Sequence, residues 1–207
     1  MNETLFKKQF VECYPANVGS VDIAYRVYLN AKKNDNNFCL LGRMGKIEEI
    51  VGSKQFDMPS GKYMLAIQGD GLAGEVKNFV VTNEAHTGNV LNVAEWNIGI
   101  NDAWTLGGIH AKSTFNFVGE VPTDVNEFEK KYLCDTRYGF TVTAREILGL
   151  TGAGYTPLIK YETLIFAPPT GSVASFDFEK YVGFIEGRNK EVVLKEIVAR
   201  LRSAYEN

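Results

Sequence analysis

The fold class depends most on residues 63–82, which read YMLAIQGDGLAGEVKNFVVT. The apolar run from Tyr63 to Ile67 follows the turn residues Pro59-Ser60-Gly61, a pattern typical of a buried strand. The residues from Asn78 to Thr82 predict a second strand. We expect the two strands to pair as a hairpin across the glycine-rich connection from Gly69 to Gly74.

That connection, Gly69-Asp70-Gly71-Leu72-Ala73-Gly74, also matches the G-x-G-x-x-G pattern of dinucleotide-binding loops. In such a loop a helix must begin at the glycines, so that its N-terminal amides face the pyrophosphate. Only three residues separate Gly74 from the second strand. Because no crossover helix fits in that space, the pattern indicates a hairpin connection and not a nucleotide site.

Further elements are predicted on both sides of these strands. Helical patterns cover Val21–Lys33 with Ser20 as N-cap, Asn89–Leu106 ended by Gly107-Gly108, Thr123–Leu133, a short segment begun by a Thr143–Glu146 capping box, and Asn189–Glu206. Strand patterns cover Phe38–Leu41, Thr114–Val118, Leu158–Ala167 paired with Ser172–Phe178, and Tyr181–Ile185. Because the strands cluster without regular alternation with helices, we predict a single α+β domain over residues 1–207. Its mainly antiparallel sheet is packed by a long central helix and an amphipathic C-terminal helix.

The composition is that of a folded protein that does not bind nucleic acid in general. Hydrophobic residues make up 45% and charged residues 23% of 207 residues, so a sizeable core can form. The formal net charge is −3, and the densest basic stretches are pairs of lysines. Binding to phosphate backbones needs a concentrated positive field, so the sequence argues against general DNA or RNA binding.

The cysteines and the N-terminal residues give information on the cellular compartment of the protein. Three widely spaced cysteines, Cys13, Cys39 and Cys134, form no C-x-x-C pair, which favours reduced thiols and a cytoplasmic protein. The first ten residues lack the apolar stretch of a signal peptide, and no run is long enough to span a membrane. Export without a cleaved signal stays compatible with the sequence. We find no metal-ligand spacing and expect no cofactor.

The predicted central helix carries an unusual polar pair. Asn97 and Asn101 lie one turn apart in the middle of the apolar face formed by Val90, Val93, Ala94, Ile98 and Trp104. A buried amide costs about 1–3 kcal/mol if its hydrogen bonds are unmet, so both should have definite partners. Clamping a neighbouring backbone is the more common role of such residues. The alternative is a ligand pocket, for which Asn97, Asn101, Trp104 and Arg145 are the candidate binding residues.

Two candidate catalytic residues lie on or near the same helix. His110 follows the Gly107-Gly108 break, where a histidine can reach a cleft and titrate near neutral pH. Asp102 lies two turns from Glu95, a spacing that could serve acid and base chemistry but more often marks a solvated helix face. Arg145 follows Thr143 at a helix start, where it could face an anionic ligand, although an exposed arginine is the commoner case.

Three functional hypotheses fit these features. We favour a protein-interaction or effector/immunity-type module of bacterial kind, with a protein partner or self-association, because histidine is scarce and no nucleophile–base pair is found. The alternative is a small-molecule or nucleotide-handling enzyme with its pocket at the central helix. The third is a toxin-like hydrolase or transferase, for which the sequence offers no motif.

Overall fold

A computed structural model describes residues 1–33, 38–41, 60–68, 75–81, 86–93, 95–135, 139–160, 162–186 and 188–206. Its helices are α1 (Glu3–Cys13), α2 (Val21–Lys33), α3 (Ile98–His110), α4 (Val125–Phe128), α5 (Val142–Gly152), α6 (Phe178–Gly183) and α7 (Lys190–Tyr205). A 3₁₀ helix, Pro15–Ser20, leads into α2, and a π-helical turn, Glu129–Leu133, follows α4. The strands are β1 (Phe38–Leu41), β2 (Gly61–Gln68), β3 (Glu75–Val81), β4 (His86–Val93), β5 (Thr114–Phe117), β6 (Cys134–Asp135), β7 (Gly139–Phe140), β8 (Thr156–Lys160) and β9 (Thr163–Ala167).

The main sheet is mixed, with the strand order β3-β4-β2-β1-β5-β9-β8. The four central strands, β4, β2, β1 and β5, are parallel to one another, whereas β3, β9 and β8 are antiparallel to their neighbours. The α+β class is therefore confirmed, but the prediction of a mainly antiparallel sheet is wrong. The parallel pairs join segments that are remote in sequence, and single-strand patterns carry no information about such pairings.

The predicted hairpin between residues 63–67 and 78–82 is also wrong in its pairing. Both segments contain strands, but β4 lies between them: Met64 of β2 is in register with Asn89 of β4, which in turn faces Asn78 of β3. The sequence places residues 89–93 in a helix, so the strand that separates β2 from β3 was missing from the prediction. The connection Gly69–Gly74 lies outside the described residues.

The central helix is shorter than predicted and begins at a later residue. Residues 89–93 belong to β4, and α3 begins at Ile98 with Asn97 as its N-cap, where the Asn97 side chain accepts a hydrogen bond from the Ile100 amide. The helix also continues through Gly107 and Gly108, where the sequence predicts its end. A Cβ at Gly107 would lie 2.4 Å from the Tyr28 carbonyl oxygen, and one at Gly108 would lie 2.6 Å from the Phe115 ring. These glycines therefore allow α3 to fit between α2 and the sheet.

Three predictions for the C-terminal half are wrong and one is confirmed. The hairpin of Leu158–Ala167 with Ser172–Phe178 is not formed, because β8 and β9 pair with each other and residues 172–178 contain no strand. The segment predicted as a strand at 181–185 lies largely in α6, and the N-cap of α5 is Thr141, not Thr143. Helix α7 is confirmed, with Asn189 as N-cap and a buried face of Val193, Leu194, Ile197, Val198, Leu201 and Ala204. Helix α1, which buries Phe6 and Phe10, was not predicted.

One hydrophobic core joins the helices to one face of the sheet. Alternate strand residues such as Cys39, Leu41, Phe115 and Phe117 point into it, together with side chains from all seven α-helices. This single core agrees with one α+β domain. Within the described ranges, no helix has the length and apolar character needed to cross a membrane.

Candidate functional site

A buried ion pair joins α3 to α5. The Arg145 guanidinium donates from Nε to Asp102 Oδ1 at 3.0 Å and from Nη2 to Asp102 Oδ2 at 2.7 Å. The Tyr14 hydroxyl donates to the same Oδ2 at 2.6 Å. The Asp102 side chain is fully buried and that of Arg145 is 12% exposed. The cluster therefore connects three segments that are remote in sequence.

The electrostatics of this cluster follow from its burial. Burial raises the pKa of the Asp102 carboxyl, whereas Arg145 and the Tyr14 hydroxyl oppose that shift. Burial together with the Asp102 charge raises the pKa of Tyr14 well above its ordinary value, so that this hydroxyl stays a hydrogen-bond donor at neutral pH. The expectation that Asp102 lies on a solvated face with Glu95 is wrong, because Asp102 is buried and Glu95 precedes the helix.

The two amides of the central helix have different environments. Asn97 uses both ends of its side chain, since Oδ1 caps α3 and Nδ2 donates to Ser20 Oγ at 2.9 Å. Asn101 accepts a hydrogen bond from Trp96 Nε1 at 3.2 Å, but its Nδ2 is buried without a partner in the described part of the chain. The same is true of Trp104 Nε1, whose ring packs edge-on against Phe115. Asn97 thus has a structural role as a cap, and ligand binding by these residues stays a prediction.

His110 connects α3 to its surroundings through both ring nitrogens. Nε2 lies 2.7 Å from the Phe176 carbonyl oxygen, which only accepts, so Nε2 carries the proton. Nδ1 then accepts from the Tyr28 hydroxyl at 2.8 Å. Burial, followed by the positive charges of the Met1 amino group and Lys32, lowers the pKa of His110, while the Phe176 carbonyl and Asp177 oppose that shift. The imidazole is therefore neutral near pH 7, with both nitrogens already bonded within the protein.

A cavity of about 430 Å³ lies at the C-terminal end of α3. Its lining comes from the end of α2, the end of α3 and the loop after β9, and consists of Met1, Lys32, His110, Lys112, Thr170, Gly171, Ser172, Val173 and Ala174. The Lys112 ammonium donates to the Thr170 carbonyl oxygen at 3.1 Å, which connects the two sides of the cavity. We call the segment Thr170–Ala174 the wall loop.

The structure brings some of the predicted site residues together and separates others. Asp102 and Arg145 are in direct contact, whereas His110 lies eight positions after Asp102, about 12 Å along the helix axis. These two candidate catalytic residues therefore do not face one common atom. Lys32, Lys112 and the wall loop were not predicted as site residues. The only signal was that residues 168–171 contain turn-forming Pro-Pro-Thr-Gly.

Two of the three thiols are weak nucleophiles, and the described residues hold no candidate metal cluster. Burial raises the pKa of the Cys13 thiol to about 11 and that of Cys39 to about 12, so both are protonated and weakly nucleophilic at neutral pH. The described ranges contain no cluster of three or more histidine, cysteine, aspartate or glutamate side chains that could hold a metal ion. All three cysteines are free thiols.

Comparison with known proteins finds no family model, no curated protein and no solved structure that matches this chain.

Proposed function

We propose that the protein binds a small molecule in the cavity at the C-terminal end of α3. The observation that carries the proposal is the cavity itself, whose volume of about 430 Å³ falls within the usual range of ligand pockets, roughly 300–1,000 Å³. Its lining combines apolar surface with ammonium and hydroxyl groups, the mixture that orients a ligand. The sequence-based hypothesis also places a pocket at the central helix, but its candidate binding residues Asn97, Asn101, Trp104 and Arg145 are not among the residues that line this cavity.

The wall of this cavity is held in place by the rest of the fold. Three residues of the segment 170–176 each offer a backbone carbonyl to a side chain outside that segment. Lys112 binds the carbonyl of Thr170, Lys180 that of Ser175, and His110 that of Phe176. A pocket whose wall is already ordered loses less conformational entropy when a ligand binds. Preorganisation of this kind supports a binding role.

His110 supports binding better than catalysis in this proposal. A general base needs a free nitrogen within hydrogen-bond distance of the proton that it removes. Both nitrogens of His110 are occupied, one by Tyr28 and one by Phe176. We therefore assign His110 the role of holding the segment that follows the wall loop, through the Phe176 carbonyl.

No described surface favours the interaction-module hypothesis over this one. The large apolar side chains that are exposed lie on five different elements, and single exposed apolar residues are normal on any protein surface. They are Leu5, Val11, Val18, Ile98, Val142 and Val192. A protein partner or self-association stays a prediction from the sequence.

The proposal is tested by filling the cavity with a side chain. Ala174 lines the cavity and is exposed, so Ala174→Trp should block it without disturbing the core. Ala199→Trp, at an exposed position of α7, is the matched control. Thermal unfolding is measured with nucleotides, sugar phosphates, dicarboxylates, sugars and amino acids. A ligand at a hundred times its Kd stabilises the folded state by about 2.7 kcal/mol.

We expect at least one compound class to stabilise the wild type and Ala199→Trp but not Ala174→Trp. The proposal is wrong if no compound stabilises the wild type, or if every stabilising compound acts equally on all three proteins. The second result would place binding elsewhere on the protein.

A further inference from the structure

We infer that the ligand of this cavity carries an anionic group, a phosphate or a carboxylate, that binds between Lys32 and Lys112. The inference rests on the proposed function, since it specifies the chemistry of the same cavity. It is carried by the charge of the lining and by the backbone conformation of one of the two lysines.

The lining is positively charged. The described residues that line it include Lys32 and Lys112 and no aspartate or glutamate. The nearby carboxylate of Asp177 caps α6 and accepts a hydrogen bond from the Gln9 amide, but it keeps its negative charge. The C-terminal ends of α2 and α3 each contribute about half a negative charge. The Met1 amino group adds a third positive charge to those of Lys32 and Lys112, so the site stays net positive.

Both ammonium groups have hydrogen-bonding capacity left for a ligand. Lys112 uses one of its three protons on the Thr170 carbonyl. Lys32 lies 5.5 Å from the centre of the Tyr28 ring, a cation–π contact, and its ammonium group also lies beside the Met1 amino group, with which it shares no negative charge. In the part of the chain that the structure describes, neither lysine forms an ion pair with a carboxylate. An anionic group would supply the missing counter-charge.

The backbone of Lys112 provides independent support. Its φ is +54°, a left-handed conformation that commonly follows a helix but is then usually adopted by glycine. A residue with a Cβ is strained there, and residues with such strain cluster at functional sites. The other described non-glycine residue with positive φ is Glu162, at the exposed turn between β8 and β9. Glu162 is therefore a matched control for the strain alone.

The wall loop can complete the coordination of such a group. Thr170 and Ser172 line the cavity, and each hydroxyl can donate one proton to an anionic oxygen. The Ser172 hydroxyl oxygen already accepts a hydrogen bond from the Ala174 amide. The hydroxyl proton of Ser172 is therefore left for donation to a ligand. Two ammonium groups with two hydroxyls are a donor set that suits phosphate or carboxylate oxygens.

Titration of inorganic phosphate at fixed ionic strength, followed by NMR, tests the inference. We expect Lys32→Gln and Lys112→Gln each to weaken phosphate binding at least tenfold. Glutamine keeps an N–H donor at position 112, so a loss of phosphate binding in that variant reports the loss of the charge.

Lys112→Gly should weaken phosphate binding equally while raising the melting temperature, because it relieves the left-handed strain. Glu162→Gly should raise the melting temperature and leave phosphate binding unchanged. Acetate, titrated in the same way, distinguishes a carboxylate site from one that needs phosphate.

The outcomes separate this inference from the proposed function. If a neutral or cationic compound binds, is blocked by Ala174→Trp and is unaffected by the lysine substitutions, the cavity is a ligand site but the anionic assignment is wrong. If phosphate binds equally well to the wild type and both lysine-to-glutamine variants, the assignment is also wrong. If no compound binds at the cavity, both proposals fail.

Discussion

Asp102 and Arg145 form a bidentate ion pair whose carboxylate is completely removed from solvent, with 2.7 Å between Arg145 Nη2 and Asp102 Oδ2. The two residues are 43 positions apart and belong to α3 and α5, so the pair fixes the position of one helix against the other. Tyr14 adds a third attachment from the segment after α1. A charge cluster of this kind stabilises the folded protein when every member has its hydrogen-bond partners, because each member then satisfies the hydrogen bonds of the others.

Removing one partner of the pair should destabilise the protein strongly. Asp102→Asn and Arg145→Met each leave the other charge buried without its counterpart, so we expect a loss of about 3–5 kcal/mol in the free energy of unfolding. The double variant Asp102→Asn/Arg145→Met should lose less than either single variant, because no buried charge remains. Urea unfolding of the four proteins in a double-mutant cycle measures the coupling. A loss of ligand binding with unchanged stability in Asp102→Asn would instead support the predicted catalytic or binding role.

The stability should fall at mildly acidic pH because of His110. An unfolded histidine titrates at about 6.5, and burial lowers the pKa of His110 in the folded protein. Below about pH 6.5 the unfolded chain therefore binds more protons than the folded chain, and the free energy of unfolding decreases as the pH falls. His110→Gln does not titrate. The stability difference between wild type and this variant should therefore shrink from pH 7.5 to pH 5.5, measured by urea unfolding. A difference that is independent of pH would contradict the assigned environment of His110.

Asn116 should be replaceable by an apolar residue with a gain in stability. It is fully buried in β5, in register with Leu40 on one side and Ile165 on the other. Neither its Nδ2 nor its Oδ1 has a hydrogen-bond partner in the described part of the chain. An unmet buried amide costs about 1–3 kcal/mol, so Asn116→Leu should raise the free energy of unfolding by about 1 kcal/mol.

Asn101→Leu is the control for this prediction, because it removes the acceptor of the Trp96 indole as well as an unmet N–H group. We expect its stability gain to be smaller or absent. A decrease in stability for Asn116→Leu would show that the amide has a partner.

The glycines of α3 should be required for packing. A Cβ at Gly107 would lie 2.4 Å from the Tyr28 carbonyl oxygen and 2.8 Å from the Ala31 Cβ atom. We expect Gly107→Ala to lower the free energy of unfolding by about 1–3 kcal/mol, although alanine favours helices. At Gly183, the last residue of α6, a Cβ would have no neighbour within 4 Å. Gly183→Ala should therefore stabilise the protein, by up to about 1 kcal/mol. Equal effects of the two substitutions, measured by chemical unfolding, would contradict the close approach of α2 and α3.

The candidate site could be predicted only in part. Asp102, Arg145, Trp104 and His110 were identified from sequence as residues of interest, and all four are partly or completely buried. The sequence does not identify the hydrogen-bond partners of Asp102 and His110. These partners are Tyr14, Tyr28 and Phe176, which lie between 66 and 88 positions from them in the chain. The cavity depends on where the ends of two helices and the wall loop meet. No single segment of the sequence contains that information.

Elements with a local pattern could be predicted from the residues alone. Val21–Lys33, Phe38–Leu41 and the C-terminal helix follow from side-chain periodicity, which acts within a few positions. The pairing of the strands, the bounds of the central helix and the burial of polar groups depend instead on the tertiary structure. Strand β4 separates β2 from β3, and α3 passes through Gly107-Gly108 because α2 and Phe115 press against it. Such choices depend on contacts between segments remote in sequence, whose free energy outweighs the local preferences of any one residue.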